Sequence, residues 1–305
     1  MRYHRRVPLA GLPSSPLVEQ LDARAKGSGS VAVVAADEVQ ALCEATGVEV
    51  EALALALLDV AKRWSLAPVS NFNVGAVALA NSGTLYLGSN IEFPGLPLSQ
   101  TVHAEQSAIY QAAAHGESGL ELIATSAAPC GFCRQFMLEL PQPRPRLLLA
   151  DRPGTEPVEL ESLIPSASDP TSLGRAPQLM RAPQHSLRFV GQGEAPGELA
   201  RQALAAAASS SASYSGSLAG VALETGDGRI YAGAVAESAA YNPTLAPMQA
   251  GLIHAHHEGA RLSEIREAVL VELETSHVSQ LASARMVLSS VAPTAILRRR
   301  FAVRT

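Results

Sequence analysis

Aromatic side chains are scarce in this 305-residue chain, at 4%, with Trp64 the single tryptophan. Its cores must therefore rest on Ala, Leu and Val. Three cysteines, Cys43, Cys130 and Cys133, are too few for a disulfide framework. Two of them form a Cys-x-x-Cys pair, which in a reducing compartment points to metal or redox chemistry. No apolar run reaches the roughly 18 residues of a membrane span. The basic start "MRYHRR" has no apolar stretch of a signal peptide behind it, so a cytoplasmic protein is expected. An excess of positive charge is also missing. The formal net charge of −5 offers no global attraction for nucleic acid or an anionic membrane, and the basic runs at both ends read as solvated tails.

A hydrophobic content of 47% with 17% charge excludes a disordered chain, and the length suits two ordinary domains. Residues 1–48 read as a Pro- and Gly-punctuated arm followed by a small helical segment. In 49–151 strands alternate with helices, which implies an α/β layered domain. "VEVEALALALLDVAKRW" has helical spacing, while "NVGAVALA" and "TLYLGSNIEF" read as strands around the turn "NSG". A helix is expected from near His103 to Gly116 and another opening at Pro129. Residues 152–188 are rich in Pro, Ser, Asp and Gly and read as an extended linker. A second helix-and-strand unit, 189–305, follows.

The second unit repeats the first at a spacing of about 145 residues, which indicates a duplicated domain. With one residue inserted in the turn, Ala78-Leu79 falls on Ala222-Leu223, Tyr86 on Tyr231, Gly88 on Gly233 and Glu92 on Glu237. Carried forward, this register sets His103 on Pro247 and Glu105 on Gln249. No cysteine follows Cys133.

The chemistry concentrates in "VHAEQSAIY" and "APCGFCRQF". His103, Cys130 and Cys133 supply one imidazole and two thiolates, a three-ligand set for tetrahedral zinc with one position left for water. Glu105, two residues from His103, is spaced to take a proton from that water and pass it to a substrate nitrogen. A lone His-Ala-Glu reads more simply as a helix start. A lone Cys-x-x-Cys reads as a redox pair, although the Trp-Cys-Gly-Pro context of such pairs is missing. Together, with 23 residues between Glu105 and Pro129, each half constrains the other. Asn90 and Glu92 alternate along one strand and share a face, where an amide and a carboxylate suit a diol; the alternative is an ordinary polar strand end. In "HAHH", His254 and His257 share a helical face and read mainly as surface decoration.

"HAEQSAI…PCGFCRQFMLEL", with "NFNVGA" and "SNIEF" upstream, resembles the cytidine deaminases, specifically their long bacterial type with two core domains per chain. The His-x-Glu…Pro-Cys-x-x-Cys signature is the one known for zinc deaminases. The resemblance covers residue 49 to the end and is strongest from Val69 to Leu140. It implies a three-layer αβα sandwich, present twice, with 49–151 catalytic and 189–305 a degenerate copy. It implies one zinc ion per chain on His103, Cys130 and Cys133, with Glu105 as proton shuttle. It further implies a substrate pocket from Phe72, Asn90, Ile91, Glu92 and Ala104. The implied reaction is hydrolytic deamination of cytidine and deoxycytidine by a homodimer whose sites lie at interfaces. The family usually has Phe near Ser168, so this pocket is expected to lose an apolar contact. Two other functions stay open: a deaminase of cytidine nucleotides or other cytosine-containing substrates, and a non-catalytic zinc-stabilised binding protein.

Overall fold

The computed structural model describes residues 32–151, 156–191 and 195–305. The arm expected over residues 1–30 lies outside them. The first unit runs β1 (Val33–Val34), α1 (Ala36–Thr46), α2 (Val50–Lys62), β2 (Gly75–Ala80), β3 (Leu85–Ser89), α3 (Ala104–Ala114), β4 (Leu120–Thr125), α4 (Gly131–Met137) and β5 (Arg146–Leu149). Its five-stranded sheet has the order β1-β3-β2-β4-β5, antiparallel except for the β4–β5 pair. Period-two alternation sends Val77, Leu79, Leu87, Leu122 and Leu148 to one face, where they meet Leu53, Leu57 and Leu58 of α2. Each such fully buried leucine contributes about 1.5–3 kcal/mol relative to exposure. Ala76, Ala78, Tyr86, Ile123 and Leu147 take the other face, under α3 and α4. This is the expected αβα sandwich.

The second unit repeats it with β6 (Leu187–Phe189), α6 (Glu198–Ala208), β7 (Ala219–Thr225), β8 (Ile230–Ala234), α7 (Pro247–His257), β9 (Ile265–Leu273), α8 (Leu281–Val291) and β10 (Ile296–Arg304), in sheet order β6-β10-β9-β7-β8. The two sandwiches face each other through α3 and α7, and one apolar cluster runs from Ile109 and Phe136 to Met248 and Leu252.

The register of the repeat differs from the sequence alignment. Tyr86 pairs with Ala78 and Tyr231 with Leu223, so Ala78 corresponds to Leu223, and the strands match at a constant offset with no inserted residue. Gly88 and Gly233 lie where a Cβ would strike backbone, at 2.2 Å from the Ala108 nitrogen and 2.1 Å from the Gly251 nitrogen. These contacts align Ala104 with Pro247 and shorten the intervening loop by two residues in the copy. His103 therefore matches Ala246 and Glu105 matches Met248, in place of the expected Pro247 and Gln249; Gln249 matches Gln106.

The stretch expected to be an extended linker is packed on the first unit. It holds a short helix, α5 (Leu160–Leu163), whose Leu160 and Leu163 are buried, as is Leu179 beyond it. Arg144, almost wholly buried, ties it down through Asp169 at 2.7 Å and Glu161 at 2.8 Å. Composition hides this, because Pro and Ser report turns and not whether the turns are anchored. The histidines of "HAHH" are not surface decoration either. His256 and His257 are buried, with His256 Nε2 2.6 Å from the Trp64 carbonyl oxygen and His257 Nε2 3.2 Å from Ser89 Oγ across the seam between the units. Helix periodicity shows which residues share a face, not that the face meets a second domain. Among the described residues, no helix is long and apolar enough to cross a membrane.

Candidate functional site

Two helix starts build the site. His103 is the N-cap of α3 with extended backbone, and Cys130 is the N-cap of α4, so the helix opens at Gly131, two residues after Pro129. Cys133 then falls in the first turn, its thiol pointing back over the N-cap. The ligand atoms of His103, Cys130 and Cys133 all lie within 4.8 Å of one another. Cys130 Sγ is 3.6 Å from Cys133 Sγ and 3.6 Å from His103 Nδ1. A tetrahedron with Zn–S of about 2.3 Å and Zn–N of about 2.05 Å has S–S and S–N edges of about 3.8 and 3.6 Å. The donor set therefore fits a tetrahedral zinc ion, and the chain carries a zinc site of this type. Three protein ligands leave the fourth position for a small molecule, the arrangement of catalytic and not structural zinc.

The electrostatics suit a dication. The Cys130 thiol is lowered to about 3, first by the hydrogen bond from the Cys133 thiol, then by His103 and the Cys133 backbone N–H. The hydrogen bond to Cys130 raises His103. Glu105, one residue into α3, is 4% exposed, and burial raises its carboxyl so that a proton is readily held there. The Glu105 carboxylate and the Cys133 thiol also influence one another's titration, Glu105 helping to raise the thiol, so the carboxylate stands beside the ligand cluster.

Of the residues expected to hold substrate, Asn90, Ile91 and Glu92 lie on a segment that the Ile91–Val102 bridge joins to the residue before His103. Asn90 is buried, with Oδ1 accepting from Val74 N–H at 2.9 Å and Nδ2 donating to the Phe72 carbonyl at 3.0 Å. Glu92 accepts from Val69 and Ser70 N–H at 2.8 and 3.0 Å and from the Ser70 hydroxyl. Burial pushes its carboxyl up, but these bonds outweigh that and lower it. Phe72 is 60% exposed on the loop that Asn90 and Glu92 support. Ile91 is buried and pairs with Val102, and Ala104 opens α3. Ser168 lies against α4, its backbone clamped by Gln135, which donates Nε2 to the Ser168 carbonyl at 2.7 Å. Two further supports were not among the residues expected from the motifs. Gln135 is one. Gln106 is the other: its Oε1 accepts the His103 N–H at 3.3 Å while Nε2 donates to the Pro243 carbonyl of the second unit at 3.0 Å. A glutamine three residues after an N-cap is the capping-box position, which is the signal that could have found it.

In the copy, the same positions carry no ligands. Ala246 caps α7, Gln280 caps α8, and Ser283 holds the place of Cys133. Gln100 of the first unit enters that space, its Oε1 accepting from Gln249 Nε2 at 3.0 Å and Ser283 Oγ at 2.8 Å. A neutral amide and hydroxyl network stands there. Glu237 nevertheless repeats the bonds of Glu92, accepting from Tyr214 and Ser215 N–H and the Ser215 hydroxyl.

A family model described as the cytidine and deoxycytidylate deaminase zinc-binding region matches residues 48–145, and a second model of the same description matches 160–285. The chain is 41% identical to a cytidine deaminase of Serratia proteamaculans (strain 568) over 261 residues, 85% of this chain and 86% of that one. A cytidine deaminase of Yersinia pestis (strain Pestoides F) is 42% identical over 267 residues, 88% and 89% of the two chains. The crystal structure of cytidine deaminase from Burkholderia pseudomallei covers 38% of this chain and 96% of its own, at 29% identity and a TM-score of 0.34.

Proposed function

The chain belongs to the cytidine and deoxycytidylate deaminase family, and on that premise we propose that it hydrolyses cytidine and 2′-deoxycytidine to uridine and 2′-deoxyuridine with release of ammonia. The observation that carries the reading is the buried Glu105 beside a His103–Cys130–Cys133 cluster of zinc dimensions. His103, Cys130 and Cys133 would hold a zinc ion, which would supply the Lewis acidity that makes water acidic near neutral pH. Glu105 is placed to take a proton from water and donate it to N3 of the pyrimidine, then to take the proton of the hydroxyl newly bonded to C4 and pass it to the amino nitrogen as the C4–N bond breaks and the C4 carbonyl forms. Its burial, which favours the protonated carboxyl, suits a group that must hold a proton between transfers.

Phe72 packs on the base, Asn90 and Glu92 receive the ribose hydroxyls, and Ile91 and the Ala104 backbone complete the wall. With Asn90 and Glu92 already bonded to the loop backbone, they meet the sugar with their remaining donor and acceptor capacity. Glu92 beside the sugar disfavours a 5′-phosphate, which argues for nucleosides over nucleotides. Residues 49–151 form the catalytic domain and 189–305 the non-catalytic copy.

The working form is a cytoplasmic homodimer. Phe72 and Phe132, at 60% and 56% exposure on the loop and helix turn that carry the site, are the apolar surface a second chain would cover. The test is paired: zinc content by elemental analysis and loss of the cytidine absorbance band on conversion to uridine. One zinc per chain with turnover that a chelator abolishes and zinc restores supports the reading. Zinc without turnover leaves a binding protein, and CMP turned over far faster than cytidine replaces the substrate.

A further inference from the structure

A cleft of about 190 Å³, lined by none of the zinc ligands, opens between the segment 175–185, the loop 212–218 and the C-terminal end of β10. Its polar lining is one-sided. Arg175, Arg304 and His185 line it, and no lining side chain is acidic. Among the described residues, neither arginine has an ion-pair partner. Gln178 also faces it, and its Oε1 already accepts the Ser213 hydroxyl at 2.7 Å, which leaves the amide N–H groups as the free donors. The side chains therefore present two guanidinium groups, an imidazole and an amide, with no carboxylate to satisfy them.

The backbone holds this donor set in place. His185 N–H donates to Ala208 O at the end of α6, Thr305 N–H donates to Ser186 O, and β6 pairs antiparallel with β10 with Leu187 opposite Arg304. His185 and Arg304 are thereby neighbours, and burial together with Arg304 lowers the His185 ring. Arg175 and Arg304 meet no carboxylate in the cleft, so an anion there would gain charge-assisted hydrogen bonds from both. The volume corresponds to roughly six water molecules, room for a tetrahedral anion and an attached group.

We infer that this cleft binds a phosphate group, free or as the monoester of a small sugar, through Arg175, Arg304, His185 and Gln178. Planar guanidinium groups match phosphate oxygens in paired hydrogen bonds, and phosphate is a stronger partner for them than a carboxylate of one charge. The site shares no lining residue with the zinc cluster, so its occupation is independent of the deaminase reading.

Calorimetric titration of the zinc-loaded full chain with inorganic phosphate, ribose 5-phosphate and ribose tests the inference at low ionic strength. Saturable binding of at least one phosphate probe at one per chain is expected, with no binding of ribose. Arg175→Gln and Arg304→Gln should each weaken it at least tenfold, and added salt should weaken it several-fold. Cytidine turnover and melting temperature should be unchanged in both variants, because both side chains are exposed. Ribose 5-phosphate binding at least tenfold tighter than inorganic phosphate assigns the site to a monoester; equal affinity assigns it to the free ion. Absence of saturable binding by either phosphate probe, or affinities unchanged in both variants, overturns the proposal.

Discussion

The side-chain amide of Gln106 donates to the carbonyl oxygen of Pro243, 137 residues away, while its oxygen receives the N–H of the zinc-ligand candidate His103. One neutral side chain thus ties the start of α3 to the second unit. In Gln106→Ala, both partners lose a bond in a buried setting, which costs about 1–3 kcal/mol. The melting temperature should fall by several degrees and kcat/KM by about tenfold, with zinc still at one per chain. Unchanged kinetics would show that the copy does not position the site.

Glu105→Gln keeps the size of the side chain and removes its ability to hold and release a proton. Zinc content should stay at one per chain while kcat drops by roughly 10²–10⁴. Cys133→Ala should instead lose the metal, since two protein ligands remain. Turnover retained in the Glu105 variant would remove that residue from the proton path.

Glu92 and Glu237 hold their loops by the same three bonds, and the proposed sugar contact falls to Glu92. Alanine at either position should cost similar stability, about 1–3 kcal/mol in denaturant titrations. KM for cytidine should rise at least tenfold more in Glu92→Ala than in Glu237→Ala. Equal KM values in the two variants would reduce Glu92 to a loop support.

Acid should loosen the seam between the domains. Burial lowers His256, and burial together with His256 lowers His257 to about 3, so both are neutral when folded. Their unfolded pKa is about 6.5, so below that pH the unfolded chain binds more protons and stability falls. His257 contributes full stability above pH ~6.5 and loses about 1.4 kcal/mol per pH unit below it, down towards pH 3, and His256 adds to the loss in the same direction. Urea titrations from pH 8 to 5 should show this slope, and His257→Gln should flatten it by about one histidine's share. An identical slope in the variant would place the acid sensitivity elsewhere.

Gly88 lets α3 rest on β3, since a Cβ there would meet the Ala108 nitrogen at 2.2 Å. Gly88→Ala must push the helix outward, at a cost of about 3 kcal/mol or more, and should lower both the yield of folded protein and its melting temperature. Gly131→Ala, with nothing within 4 Å of the added methyl, is the control and should melt near the parent.

Local chemistry makes the strongest features legible in the amino-acid sequence. Alternation and helical spacing mark Gly75–Ala80, Leu85–Ser89 and α2, because each element records which of its faces is buried. His103, Glu105, Cys130 and Cys133 stand out because metal ligation and proton transfer admit few residue types at few spacings. The alignment of the copy slips because Ala- and Gly-rich strands look alike one residue apart, and only cross-strand pairing resolves the register. Residues 156–180 do not read as anchored, since nothing local in Asp169 or Ser168 announces Arg144 or Gln135 as a partner.

The sequence by itself determined the α/β class, the duplication and the ligand set, since periodicity and reactive side chains are properties of short segments. Only the tertiary structure decided that the two units share one core, that His256 and His257 lie in the seam, and that Gln106 joins His103 to Pro243. These are contacts between segments more than a hundred residues apart, whose meeting is set by packing of the whole chain and not by local propensity.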